Sequence, residues 1–201
     1  MTKPAVLPIA VVGAGFSGTV TALNLLRSIP RRPVLLCERG PTFARGAAYS
    51  TEDPVHLLNV RAGNMSAFAD RPDHFAQWVS SRDDLPEAHV HHTAAGQFVS
   101  RSIYGRYLSA LIQAELGRPD GAARLRIVPD EVVSLRRHPS GGFELLLAGG
   151  RSHRVAGAVI AVGNLLSSAQ REPGGIVQDP WAVRFTEGLV NGRPVISSAR
   201  A

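Results

Sequence analysis

Lysine is nearly missing from this sequence: 21 of its 22 cationic side chains are arginine, and the remaining one is Lys3. Chemistry that depends on a lysine amine is closed to it. A phosphate-binding Walker loop, a Tyr-x-x-x-Lys dehydrogenase pair and a Schiff-base enzyme cannot be built from Lys3 alone. Cysteine is equally scarce. Cys37, the single one, excludes an intrachain disulfide and a multi-cysteine metal site, and fits a reducing cytoplasm, the expected compartment. Clustered charge is also lacking. The formal +6 is spread from Arg27 to Arg200, and no zinc-finger spacing, aromatic RNA-binding signature or basic-region helix accompanies it, so no nucleic-acid partner is expected.

A membrane span is absent too, although one stretch imitates it. Residues 4–26 carry no charge, but Pro4, Pro8, Gly13, Gly15 and Gly18 interrupt them, as a hydrocarbon-spanning helix would not tolerate, and no membrane partner is expected. What remains is an ordinary globular composition, 44% hydrophobic and 19% charged over 201 residues. That is enough for one domain or slightly more with a proper core.

The same N-terminal stretch is explained position by position as strand, glycine turn and helix. Ile9-Ala10-Val11-Val12 is a short, fully apolar strand of the kind buried in a parallel sheet. Gly13-Ala14-Gly15-Phe16-Ser17-Gly18 follows at once, and Val20, Leu23 and Leu26 then recur at helical spacing. In such a turn Gly13 permits the tight bend, Gly15 lets a pyrophosphate approach the backbone, and Gly18 allows the helix to pack closely on the strand. The helix N-terminus adds free N–H groups and a partial positive charge. Val34-Leu35-Leu36-Cys37 is a second buried strand with Cys37 as a small hydrophobe. It ends at Glu38, 20 residues beyond Gly18, where a carboxylate accepts hydrogen bonds from ribose hydroxyls. Glu38 disfavours a 2′-phosphate by repulsion, an inference that Arg39 beside it weakens. The expected ligand is a small-molecule dinucleotide.

With Gly46-Ala47-Ala48-Tyr49-Ser50, His56-Leu57-Leu58-Asn59-Val60 and Phe98-Val99-Ser100-Arg101-Ser102-Ile103-Tyr104 added to the cradle, the chain resembles the YdhS-like FAD/NAD(P)-binding family of two-dinucleotide-site flavoproteins, from about Ile9 to Val195. The resemblance implies an α/β fold: a Rossmann-type parallel sheet in a glutathione-reductase-like FAD domain, with a helical insertion and a β-meander crossover. It implies FAD in the first cradle, and NAD(P)H only where a second domain or a partner supplies that site. The cofactor-binding set it implies is Gly13, Ala14, Gly15, Phe16, Ser17, Gly18, Glu38, Arg39, Asn59, Val132 and Gly163. Val132 would offer its backbone to the adenine, although a strand valine is as readily a packing residue. Gly163 would stand beside the flavin in Val159-Ile160-Ala161-Val162-Gly163, where Val162 replaces the family's Thr and removes one hydroxyl. Arg45, Arg61 and Arg101 are phosphate or substrate contacts by resemblance and surface ion-pair residues by type. No catalytic residue is assigned.

The remaining pattern fits that plan. Phe75, Trp78 and Val79 mark a short helix entered near Pro72, and Tyr104, Tyr107, Leu108, Leu111 and Ile112 a longer one stopped at Gly117. An aromatic stripe at this spacing is expected in the core. Strands at Glu131 to Arg136, Phe143 to Leu147 and Val155 to Val162, separated by glycine turns, form the expected meander. His89-Val90-His91-His92 lacks nearby carboxylate or cysteine ligands, and the flanking Pro86 and Thr93-Ala94-Ala95-Gly96 predict a loop and no metal. No GxSxG nucleophile elbow and no Baeyer–Villiger fingerprint of the Phe-x-Gly-x-x-x-His-x-x-x-Trp type is present, and Ser17 disfavours the G-x-G-x-G turn of methyltransferases.

The domain boundaries follow: residues 1–196 as the FAD/NAD(P)-binding domain, with an insertion over about 41–128 and a meander over about 125–162. Asp179-Pro180-Trp181 is expected as a linker, and residues 197–201 as a tail. A second strand with its own glycine fingerprint is expected near Pro194, and the sequence holds no second GxGxxG. The expectation is thus a truncated form of a longer flavoprotein, either an FAD-dependent oxidoreductase or monooxygenase-like domain, or a non-catalytic module binding FAD or NAD. The substrate and oligomeric state are not legible.

Overall fold

Four apolar tetrapeptides build the central sheet. In the computed structural model, which describes residues 6–163 and the backbone of 189–190 and 193–194, β1 (Ile9–Val12), β2 (Val34–Cys37), β5 (Leu125–Val128) and β9 (Gly157–Ile160) lie parallel in the order β5-β2-β1-β9. Register runs without slip from Ile9↔Val34 to Val12↔Cys37, and from Ile9↔Gly157 to Val12↔Ile160. Side chains alternate across a strand, so a sheet covered on both faces needs apolar residues at every position. The two covers are different. Val11, Val34 and Leu36 pack with Ala22, Leu23 and Leu26 of α1 (Phe16–Ser28) in one cluster. Ala10, Leu35 and Cys37 pack with Leu145, Leu147 and Val155 in the other. These last three belong to an antiparallel meander of β6 (Val132–Arg137), β7 (Phe143–Leu147) and β8 (Ser152–Val155).

The strand expected over Val155 to Val162 is divided between two sheets. Val155 closes the meander opposite Phe143, Ala156 donates its N–H to the Pro8 carbonyl at 2.8 Å, and Gly157 begins β9 beside Ile9. The run reads as one because both halves are apolar, and only the partner changes. Likewise Leu125–Val128, placed by sequence at the junction of insertion and meander, is the parallel strand that flanks β2.

The insertion carries α2 (Gly46–Tyr49), α3 (His74–Ser80), α4 (Arg101–Leu116), α5 (Gly121–Arg124) and one hairpin. The histidine stretch expected as a loop is a strand of that hairpin. β3 (Val90–Thr93) pairs with β4 (Gly96–Val99), with Gly96 at φ +125° where the chain turns back. The alternation was hidden because His91, His92 and Thr93 are all exposed. A separate unit, residues 164–201, contributes an antiparallel pair between Leu189–Val190 and Arg193–Pro194. The expected linker at 179–181, the tail at 197–201 and Lys3 lie outside the described residues.

As expected, the aromatic stripe is core. Phe75 of α3 packs edge-on against Tyr104 of α4, with centroids 4.8 Å apart, and lies 4.8 Å from Tyr107. The Tyr107 hydroxyl accepts the Ala67 N–H at 3.4 Å and pairs with His74 Nδ1 at 2.7 Å. A hydroxyl that accepts from Ala67 has its proton free for an unprotonated Nδ1, which favours neutral His74. Partial burial, then the nearby Arg71 and Arg27 guanidinium groups, lower the His74 pKa from its ordinary 6.5 in agreement.

The sign of the resulting pH dependence follows from linkage. Below pH 6.5 the unfolded chain binds a proton that folded His74 resists, so stability falls with acidification until folded His74 also protonates. His153, lowered by burial and by Arg126 and Arg151, acts in the same direction. Thermal midpoints recorded between pH 7.5 and 5 should decline, and His74→Gln should flatten part of that slope. An unchanged slope in the variant would remove His74 from the account.

Candidate functional site

The sheet order places a switch point at β1: the chain leaves β1 toward β2 on one side, whereas β9 closes the other. Ligands of open α/β sheets bind outside the carboxyl ends of the strands at such a point, and here it is filled by the glycine turn. Gly13 has φ +97° and donates its N–H to the Cys37 carbonyl at 2.8 Å. A Cβ there would lie 2.3 Å from the Ala161 carbonyl oxygen. A Cβ on Gly18 would lie 1.8 Å from the Gly13 oxygen, so the missing side chain is what brings α1 against the end of β1. Gly15 is the N-cap of α1. It has no side chain to cap the free N–H groups, and the first turn holds no acidic residue. The positive end of a thirteen-residue helix, with Phe16 and Ser17 exposed on its first turn, is thus left for an external anion.

Glu38 lies directly beside this turn. Its Oε2 accepts the Ala14 N–H at 2.7 Å and its Oε1 the Gly40 N–H at 2.9 Å, while its own N–H donates to Val128 at 3.0 Å. The carboxylate therefore clamps the cradle as well as standing at the tip of β2. Arg39 is turned to Glu131, with 3.3 Å between charges and both side chains exposed. Val132 opens β6 opposite Leu147, half-buried and just before a bulge. Ala161 donates to the Val12 carbonyl at 2.8 Å, and Gly163, at φ +70° and exposed, ends the segment that borders Gly13. The structure thus gathers Gly13 to Gly18, Glu38, Arg39, Val132 and Gly163 at one edge of the sheet. Asn59 is different: it is exposed on a bend after buried Leu58, and among the described residues no hydrogen bond ties it to the cradle.

The segment that covers the turn was not among the expected site residues. Ala44, buried and at φ +70°, donates its N–H to the Ala14 carbonyl at 2.8 Å. Gly46, at φ +57°, approaches so closely that its Cβ would lie 2.9 Å from Gly15 Cα. Gly15 therefore has a structural neighbour where sequence reasoning gave it open approach. Arg45 pairs with exposed Glu52 at 2.7 Å, and Arg61 donates to the Ala95 carbonyl at 3.1 Å. Arg101 donates its backbone N–H to His56 and its Nε to the Leu57 carbonyl. Two short glycine signals, Gly46 and Gly105, mark this covering. A Cβ on Gly105 would sit 2.5 Å from the Tyr49 carbonyl oxygen, so α4 and α2 also meet through a missing side chain. The rings of Phe16, Tyr49 and Tyr104 come together there.

Two other groups are accounted for by packing. Cys37 is buried, and burial pushes its thiol up to about 11, so it is an inert hydrophobe at neutral pH. His89 pairs through Nδ1 with Ser100 Oγ at 2.7 Å, and among the described residues no three side chains form a metal-binding group.

A family profile described as FAD-NAD(P)-binding matches residues 10–165. Solved structures share the fold. An open crystal structure of cyclohexanone monooxygenase is 17% identical with a TM-score of 0.57, covering 83% of this chain and 28% of that one. Cyclohexanone monooxygenase from Rhodococcus sp. Phi1 bound to NADP+ is 20% identical with a TM-score of 0.54, covering 85% and 28%. The OTEMO complex with FAD and NADP is 22% identical, also with a TM-score of 0.54, covering 86% and 28%. The chain thus spans little more than a quarter of the length of these structures. No curated protein matches it.

The glycine contacts separate two substitutions that look alike in sequence. Gly18→Ala forces its methyl into the Gly13 carbonyl and should cost on the order of 2 kcal/mol, the usual range for overpacking. Gly15→Ala meets only Gly46 Cα at 3.6 Å and should cost less than about 1 kcal/mol. Urea unfolding of both variants measures the difference, and equal midpoints would contradict the geometry.

Proposed function

The chain belongs to the FAD-NAD(P)-binding family, and from that membership we propose that its glycine turn holds FAD as part of a flavoprotein oxidoreductase. The observation that carries the reading is the fixed bend at the switch point, where Gly13 is held between the Cys37 and Ala161 carbonyls. The residues fit a dinucleotide. The uncapped N–H groups of α1 face where a pyrophosphate is stabilised by the helix dipole. Glu38 has lone pairs beyond its two backbone bonds for the ribose hydroxyls, Val132 offers strand backbone to the adenine, and Gly163 permits close approach at the opposite side. Phe16, Ser17, Ala14 and Arg39 complete the lining, with Arg39 neutralised by Glu131; Asn59 joins the set by resemblance.

When bound, the flavin supplies hydride acceptance and onward electron transfer; the protein's residues bind and orient it. NAD(P)H enters this scheme only where a second domain or a partner supplies its site. The finer likeness, to the YdhS-like group, rests on Gly46 to Ser50 and His56 to Val60, the first of which lies across the cradle. The lone buried Cys37 fits a cytoplasmic setting, and among the described residues no helix is long and apolar enough to cross a membrane. The second reading is a module that binds FAD or NAD without turnover: the residues gathered at the turn are all cofactor-binding candidates, and none is assigned a catalytic role.

The purified chain should show absorption bands near roughly 370 and 450 nm, the oxidised-flavin signature. Glu38→Ala should weaken FAD by about 1–3 kcal/mol, the range for a hydrogen bond to a charged group. Bleaching of the bound flavin by NADH or NADPH would favour the oxidoreductase over the passive module. A colourless chain that cannot be reconstituted with FAD but binds NADH would overturn the assignment.

A further inference from the structure

Among the described residues, Tyr104 carries the one buried side-chain polar atom with no hydrogen-bond partner. Its ring is wholly buried, and a buried hydroxyl left unpaired is costly and uncommon in native structures. One helical turn further along α4, Tyr107 shows the ordinary solution, its hydroxyl shared between Ala67 and His74. The two tyrosines belong to one aromatic cluster, with centroids 5.6 Å apart, so burial alone does not explain the difference.

What distinguishes Tyr104 is that its ring packs against Phe16, which opens α1, and against Tyr49 of α2. Behind it lies the core, with Phe75 edge-on at 4.8 Å. In front lie Tyr49 at 4.8 Å and Phe16 at 6.0 Å. Phe16 is the first helical residue after Gly15 and is 38% exposed; Tyr49 is half-buried. Of the three rings beside the positive end of α1, Phe16 and Tyr49 are partly exposed and suited to a flat conjugated group, and Tyr104 lies covered against them. Glu38, Arg39 and Val132 line the β2 and β5 side of the turn, which takes the adenine half of a dinucleotide. The aromatic side is left for the other half.

We propose that the Tyr104 hydroxyl donates a hydrogen bond to an acceptor on the flavin half of the bound cofactor, a ring carbonyl, ring nitrogen or ribityl oxygen, reached past the Phe16 and Tyr49 rings. This rests on the FAD reading above. Burial, with Tyr49 and Tyr107 nearby, raises the phenol pKa well above its ordinary 10, so the group is a donor throughout the physiological range.

Tyr104→Phe removes only the hydroxyl, and Tyr107→Phe is its control. FAD affinity is measured by fluorescence titration of the full chain, and thermal midpoints are recorded without cofactor. The empty Tyr104→Phe protein is expected to melt at or above the wild-type temperature, to bind FAD five- to fiftyfold more weakly and to shift the bound flavin's absorption bands. Tyr107→Phe should melt lower and bind FAD like wild type. An unchanged FAD affinity in Tyr104→Phe overturns the proposal. So does a Tyr104→Phe chain that fails to fold or melts well below wild type, because the hydroxyl then has a partner in the empty protein. A wild-type chain that takes up no FAD removes the parent reading and this one with it, whereas equal binding by wild type and Tyr104→Phe removes this one alone.

Discussion

With no side chain between them, the first turn of α1 and the Gly13 carbonyl meet at a separation that one methyl group would close. That contact fixes the direction in which α1 leaves the sheet. Once the direction is set, Ala22, Leu23 and Leu26 fall on Val11, Val34 and Leu36, and the helix start is aimed across the carboxyl edge of β1. On the other side, the Ala161 N–H bond to the Val12 carbonyl ties the segment after β9 to the end of β1, with the Ala161 carbonyl close against Gly13. A geometry that a ligand can use is thus held by backbone atoms of three separate elements, and side-chain motion does not disturb it.

The two layers covering the sheet have different duties. The meander side is a small apolar cover built on Leu145, Leu147 and Val155, and its first strand lies close to β5, so that Glu131 reaches Arg39 and Val132 shares the edge with Glu38. The helical side is deeper and carries the aromatic residues. There Gly105 lets α4 approach α2, and Gly46 lets α2 approach the cradle. A chain of missing side chains therefore runs from the interior of the insertion to the glycine turn, and close packing transmits position along it.

Much of this was legible because it depends on local rules. The strand, the turn and the helix from Ile9 to Arg27 are each dictated by residue type and spacing, and they stand as read; Glu38 follows directly on β2, beside the turn. The aromatic stripe of α3 and α4 was correctly assigned to the core. What was hidden depends on partners far away in sequence. Nothing within Val155 to Val162 reveals that its halves join different sheets, because apolar residues suit both. The β3 strand has too many exposed residues for alternation to show. The covering of Gly15 by Gly46 is a contact across 31 positions, and periodicity carries no trace of it. The orphaned Tyr104 hydroxyl was equally invisible, since its neighbour Tyr107 has the same sequence character and a full set of partners.

The carboxylate of Glu38 links two properties that an engineer would prefer to adjust separately. Its bonds to Ala14 and Gly40 are made within the chain, so the group that would greet the ribose is already immobilised by the turn it helps to shape. Little ordering is then left to be done when a ligand arrives. The same economy narrows the routes open to divergence. Exchanging the acid for another residue would discard a brace of the bend, so a change at position 38 requires a second change that rebuilds the loop.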